Sequence, residues 1–132
     1  MFVGGVGKFW EGQAKDMKYS LDKIKKLPPT TLIFGGHEYA VNNLTFNCFA
    51  EPNNNDIKIK LKECQQRRAE LLQNVPTLLK DEYKYNSFLR AKNITIKVED
   101  DQSNKIGDYE INCLYTLRRA KDTNKGPSLR QQ

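Results

Sequence analysis

The sequence predicts a chain that opens as α/β and continues as mainly α. Three observations predict it. A glycine-broken apolar opening, Phe2-Val3-Gly4-Gly5-Val6-Gly7, is followed by one amphipathic stripe and then by the continuous apolar run Thr31-Leu32-Ile33-Phe34, a strand–helix–strand order. Beyond Tyr39 the apolar spacing turns helical. Pro28-Pro29, Pro52 and Pro76 fall between the periodic stretches, where they end or open elements. A composition boundary near Tyr39 therefore divides residues 1–39, a piece of a sheet-containing domain, from residues 40–132, a helical one.

Each element has its own warrant. Ala14, Met17, Leu21 and Ile24 form one apolar stripe ringed by Lys15, Lys18, Asp22 and Lys25, which is a helix stopped by Pro28-Pro29. Thr31–Phe34 is short, β-prone and ended by Gly35-Gly36. Val41–Ala50 is a helix ended by Glu51-Pro52. Asn53, Asn54 and Asn55 offer N-caps with Asp56 in the first turn, and Ile57, Leu61, Cys64, Leu71 and Leu72 carry a long helix to about Asn74. Pro76-Thr77 opens a further helix over Leu78–Tyr83. Tyr85–Arg90 is a compact loop, Thr95–Val98 a short strand, and Asp100–Lys105 a polar loop. Tyr109–Ala120 is the last helix; from Asp122 a polar tail with Gly126-Pro127 is loosely held.

Composition narrows the function classes. The 132 residues carry a net charge of +6 and a mean hydropathy of −0.74, so the core is modest. No apolar run approaches a membrane span. The basic balance favours anionic partners, but most lysines are interleaved with acids as solvated surface. Arg67-Arg68 and Arg118-Arg119 are only pairs, so nucleic acid is a disfavoured partner. Cys48, Cys64 and Cys113 are odd in number and widely spaced, which points to reduced thiols in the cytoplasm or mitochondrial matrix. Met1–Trp10 has the pattern of neither a signal peptide nor a transit peptide.

Three features could carry chemistry. His37, the one histidine, follows Gly35-Gly36 at a strand end, where loops build sites. It is either one metal ligand of a larger set or a histidine satisfied by hydrogen bonds. Arg118 and Lys121 share a helix face at i, i+3, as a charged helix end or as a fork for a carboxylate. Lys8 follows a glycine run and precedes Phe9-Trp10, but its spacing fails the phosphate-loop pattern.

In order and spacing, Gly4-Gly5-Val6-Gly7-Lys8-Phe9-Trp10-Glu11-Gly12, Leu27-Pro28-Pro29, Gly36-His37-Glu38-Tyr39, Asn42-Asn43-Leu44 and Glu51-Pro52-Asn53 resemble glyoxalase II, the hydroxyacylglutathione hydrolases of the metallo-β-lactamase superfamily. The likeness continues through Val75-Pro76-Thr77, Tyr85-Asn86 and Leu117-Arg118-Arg119-Ala120-Lys121-Asp122. It implies a partial metallo-β-lactamase sandwich over 1–39, then the helical glutathione-binding domain over 40–132. It implies hydrolysis of S-D-lactoylglutathione at a dinuclear centre of zinc, with iron or manganese as variants. By the same resemblance His37 is a metal ligand, and Lys8, Tyr39, Arg118 and Lys121 hold glutathione. The family's Thr-His-x-His-x-Asp-His motif has no counterpart here, and Trp10 stands where Phe or Tyr is usual. The expectation is a C-terminal half that binds no metal and is inactive as an isolated chain. Another protein chain would cover its exposed sheet edge. The alternatives are a non-catalytic structural or glutathione-binding subunit and a basic nucleic-acid-contacting module.

Overall fold

The computed structural model describes residues 1–124. Among these residues the chain runs α1 (Ala14–Lys25), β1 (Leu32–Ile33), α2 (Ala40–Ala50), α3 (Asn55–Ala69), β2 (Thr77–Leu78), α4 (Leu79–Tyr85) and α5 (Tyr109–Asp122). The protein is mainly α, with one small antiparallel sheet in which Leu32 faces Leu78 and Ile33 faces Thr77. The Gly126-Pro127 part of the expected tail lies outside the described residues.

The helices form where apolar spacing and caps coincide. Leu21 is buried on the α1 stripe, and the Gln13 N–H donates to Asp16 Oδ2 at 2.8 Å to close the first turn. Among the three asparagines before α3, Asn54 is the cap; its side chain accepts from the amides of Asp56 and Ile57. Asp108 caps α5 in the same way.

Helix α1 packs on α5, α2 on α3, and α3 on α4. Leu21, Phe46, Leu79, Phe88, Leu114 and Leu117 build the larger core cluster. Leu44, Ile57, Cys64 and Tyr85 build a second under the α2–α3 pair. All three cysteines are free, and burial pushes the Cys64 thiol up to about 11 and that of Cys113 to about 12.

Five sequence expectations are corrected. Helix α3 stops at Ala69 rather than near Asn74. Leu71 takes a left-handed φ of 59°, and the Arg67 guanidinium, donating to the Gln73 carbonyl, holds the chain turned away from the helix. Thr77 and Leu78 form a strand rather than a helical turn, because the lead into α4 is tied back to the first unit: the Leu79 amide donates to Thr31 O and the Lys80 amide to Pro29 O. Residues Thr95–Val98 form no strand; Ile94 and Ile96 are buried in the core, and the Glu99 amide donates to the Thr116 hydroxyl instead of to a neighbouring strand. The Thr31–Phe34 run shortens to two paired residues. It is not a buried strand, since Leu32 and Phe34 are exposed.

The opening is a tight turn rather than the end of a strand. Phe2 and Gly5 exchange both backbone hydrogen bonds, and Gly4 supplies the positive φ of 66°. This turn docks onto α2 and α4. Asn43 Nδ2 donates to Val3 O, Asn47 Nδ2 to Gly4 O, and the Gly4 amide donates to the fully buried Glu82 carboxylate.

Candidate functional site

Docking of that turn creates the site. Phe2, Val6, Gly7 and Lys8 come from the turn and its exit, His37 and Tyr39 from the loop before α2, Asn42 from α2, and Arg118 and Lys121 from α5. Together they line one cavity of about 670 Å³. All five residues singled out in the sequence, namely Lys8, His37, Tyr39, Arg118 and Lys121, meet in its wall.

The aromatic side is ordered by stacking. The rings of His37 and Tyr39 lie 5.0 Å apart and 8° from parallel, and Phe2 meets Tyr39 edge-on at 5.3 Å. The Tyr39 amide donates to the His37 carbonyl, so the loop is a tight turn. Glu38, between them, points the other way and accepts from the Asn74 amide and side chain. The turn thus hands His37 and Tyr39 to the cavity and Glu38 to the chain beyond α3.

The cationic side is built on α5. Arg118 is only 7% exposed. Its Nη1 donates to Val6 O, its Nη2 pairs with Asp122, and its guanidinium lies over the Phe88 ring. The Arg118–Val6 bond therefore ties the end of the chain to the opening turn. Lys121 is half-buried, donates to Asn42 Oδ1 at 2.9 Å and lies over Phe46. Burial, with Arg118⁺ beside it, lowers Lys121 to about 8. An anion between the two would relieve that repulsion. Lys8 is exposed, its Nζ 5.3 Å from the centre of the Trp10 ring.

A metal ion needs three or four ligands. His37 offers one imidazole. Among the described residues no group of three His, Cys, Asp or Glu stands together to hold an ion. The donor set of the described residues does not by itself fit a metal centre.

The basic pairs are spent internally. Arg67 holds Gln73 O and Arg119 pairs with Glu99, so neither pair presents a basic surface as a unit. Sequence reasoning singled out neither Asn42 as the partner of Lys121 nor Glu82 as the anchor of the opening turn. The signal available for Asn42 was its adjacency to the His37–Tyr39 motif.

Comparison with known proteins places these residues in a wider series. Residues 38–124 match the family model described as "Hydroxyacylglutathione hydrolase C-terminus". The chain is 38% identical over 125 residues to a hydroxyacylglutathione hydrolase of Marinomonas sp., covering 93% of this chain and 49% of that protein. It is 39% identical over 132 residues to a hydroxyacylglutathione hydrolase-like protein of Gallus gallus, covering 98% and 45%. It is 37% identical over 128 residues to a protein of Arabidopsis thaliana named hydroxyacylglutathione hydrolase cytoplasmic, covering 96% and 47%. The chain spans about half the length of these relatives.

Proposed function

The chain belongs to the hydroxyacylglutathione hydrolase family, and from that premise we propose that it recognises the glutathione part of S-D-lactoylglutathione for a thioester hydrolase that releases D-lactate and glutathione. The observation that carries this reading is the meeting of Lys8, Tyr39, Arg118 and Lys121 in one cavity beside His37. A tripeptide anion needs separated cations, a donor and an apolar wall, and this cavity offers all three. Lys121 and Arg118 take a carboxylate, Lys8 a second polar group, and the Tyr39 hydroxyl an amide. The Phe2, His37 and Tyr39 rings exclude water on the thioester side.

Hydrolysis itself needs a nucleophilic water and stabilisation of the oxyanion as the C–S bond breaks. His37 would be one ligand of the zinc, iron or manganese centre that the family implies. Further ligands must come from elsewhere, so the isolated 132-residue chain is expected to be inactive. The check is incubation with S-D-lactoylglutathione and zinc; thioester loss that stops on adding a chelator would contradict it. The partner we propose is a protein chain covering the open edge of β1, where Leu32 and Phe34 are exposed. No described helix is long and apolar enough to cross a membrane. Three free cysteines support placing the chain in the cytoplasm or mitochondrial matrix.

The test is calorimetric titration with S-methylglutathione, which cannot be hydrolysed. The chain is expected to bind it, and Lys121→Ala to weaken binding about tenfold, the loss of one charge-assisted contact. Equal affinity in both proteins would remove Lys121 from the ligand.

A further inference from the structure

The turn that presents His37 and Tyr39 is weakly held by its own neighbours. Gly35 and Gly36 precede it, and the space beside Gly36 is open. Tyr39 stands at the N-cap of α2, but its side chain caps no amide there. Among the described residues, the hydrogen bonds that tie this turn to another element run through Glu38. That exposed acid accepts from the Asn74 amide at 3.2 Å and from Asn74 Nδ2 at 3.0 Å. Asn74 is 4% exposed and comes 36 residues later in the chain.

The chain after α3 is bent so that Asn74 arrives there. Leu71 takes a left-handed φ of 59° and is 93% exposed. A left-handed leucine is uncommon, and this one buries nothing of its own, so the bend serves another contact. It brings Gln73 O to the Arg67 guanidinium, and the next residue, Asn74, meets Glu38. Two hydrogen bonds to an exposed acid add little to stability. A two-point grip on the middle residue of a His-Glu-Tyr turn does fix how that turn is rotated. We propose that Glu38 and Asn74 are positioning residues, and that their grip aims Tyr39 and His37 into the cavity as a preset pair. Neither residue lines that cavity, so both act through the turn. The inference rests on the glutathione reading of the cavity and adds to it what holds the aromatic wall in place.

The experiment titrates S-methylglutathione into the full chain and its variants and reads the His37 ring by NMR. His37 is the one histidine of the sequence, so its ring gives one isolated signal, which senses Tyr39 stacked 5.0 Å away. Tyr39→Leu marks where that signal falls without the stack. Glu38→Ala is expected to weaken the ligand about tenfold and to move the His37 signal toward that mark. Glu38→Gln removes the same charge, so any change in attraction for an anion is common to both variants. It keeps the grip: its oxygen takes the Asn74 amide, and its NH₂ donates to Asn74 Oδ1, an atom now without a partner, once that side chain turns over. Its affinity is expected within about twofold of the unsubstituted chain, with the His37 signal in place. Glu38→Asp keeps the charge but falls one methylene short. It is expected to follow Glu38→Ala, and it carries the test should Glu38→Ala fold poorly. Equal affinity in the alanine and glutamine variants, or a His37 signal that the truncation leaves unmoved, overturns the inference. Should that happen while Lys121→Ala still weakens the ligand, the glutathione reading stands and only the positioning role falls. Absence of binding by the unsubstituted chain overturns both.

Discussion

Glu82→Ala is expected to cost about 3–5 kcal/mol of stability and to abolish ligand binding in the protein that remains folded. Four donors converge on this one carboxyl. Oε2 accepts from the Gly4 amide at 3.0 Å and from Asn86 Nδ2 at 2.9 Å; Oε1 accepts from the hydroxyls of Thr77 at 2.8 Å and Tyr85 at 3.1 Å. Truncation leaves the Gly4 amide and the Asn86 amide buried without an acceptor and adds a void. It also frees the turn that carries Phe2, Val6 and Lys8 into the cavity. Glu82→Gln separates these effects. The two partners of Oε1 are hydroxyls that can rotate to accept, so a glutamine can place its NH₂ there and its oxygen on Gly4 and Asn86. Its expected cost is about 1 kcal/mol or less. Burial raises the Glu82 carboxyl above the usual carboxylate range despite those four bonds. The folded chain therefore holds that proton more tightly than the unfolded one, and Glu82's share of stability falls as pH rises from the usual carboxylate value through the raised one. Glu82→Gln is expected to lose that slope. Urea titrations of the three proteins across this range check both claims.

Arg118→Ala is expected to weaken S-methylglutathione by about 2–3 kcal/mol, roughly 30- to 150-fold. Arg118 lines the cavity, and its loss also strands Asp122 and the Val6 carbonyl. A stability loss of about 1–2 kcal/mol is therefore expected alongside, and binding must be compared where both proteins are folded. Arg118→Lys keeps the charge but not the planar fork, so its affinity is expected to fall between the two. If Arg118→Ala binds as tightly as the unsubstituted chain at equal folded fraction, the guanidinium serves the fold and not the ligand.

The helices were legible because each is a local pattern of apolar spacing beside a cap or a breaker. Leu21 and Ile24 on one stripe, Asn54 before Asp56, and Pro52 after Ala50 are signals within a few residues. The strands were not legible, because two-residue strands have no period. What makes Thr77 extended is Ile33, over forty residues away, and a proline before it is compatible with a helix start as well. The site divides in the same way. Arg118 and Lys121 could be put on one helix face by spacing. Lys8 stood out by its glycine run but took a ligand role only through the succession of family motifs, and Tyr39 entered through that succession alone. Nothing local ties Lys8 to α5; the tie is the opening turn, seated by Asn43, Asn47 and Glu82 through bonds spanning about forty to eighty residues. Glu82 itself reads as a surface residue in α4, since an acid beside Lys80, Asp81 and Lys84 gives no sign of burial.

The measurement closest to the central claim is the proton balance of ligand binding. Lys121, lowered to about 8, is partly neutral at pH 8.5, and a carboxylate seated against it must draw a proton back. Calorimetry of S-methylglutathione at pH 8.5, in buffers of different ionisation enthalpy, is expected to show net proton uptake that disappears in Lys121→Ala. Affinity is expected to be flat below pH 8 and to fall as pH rises above it. Binding without proton uptake, or with an affinity unchanged from pH 7 to pH 10, would show that the carboxylate does not sit at Lys121 and would contradict the glutathione site described for this cavity.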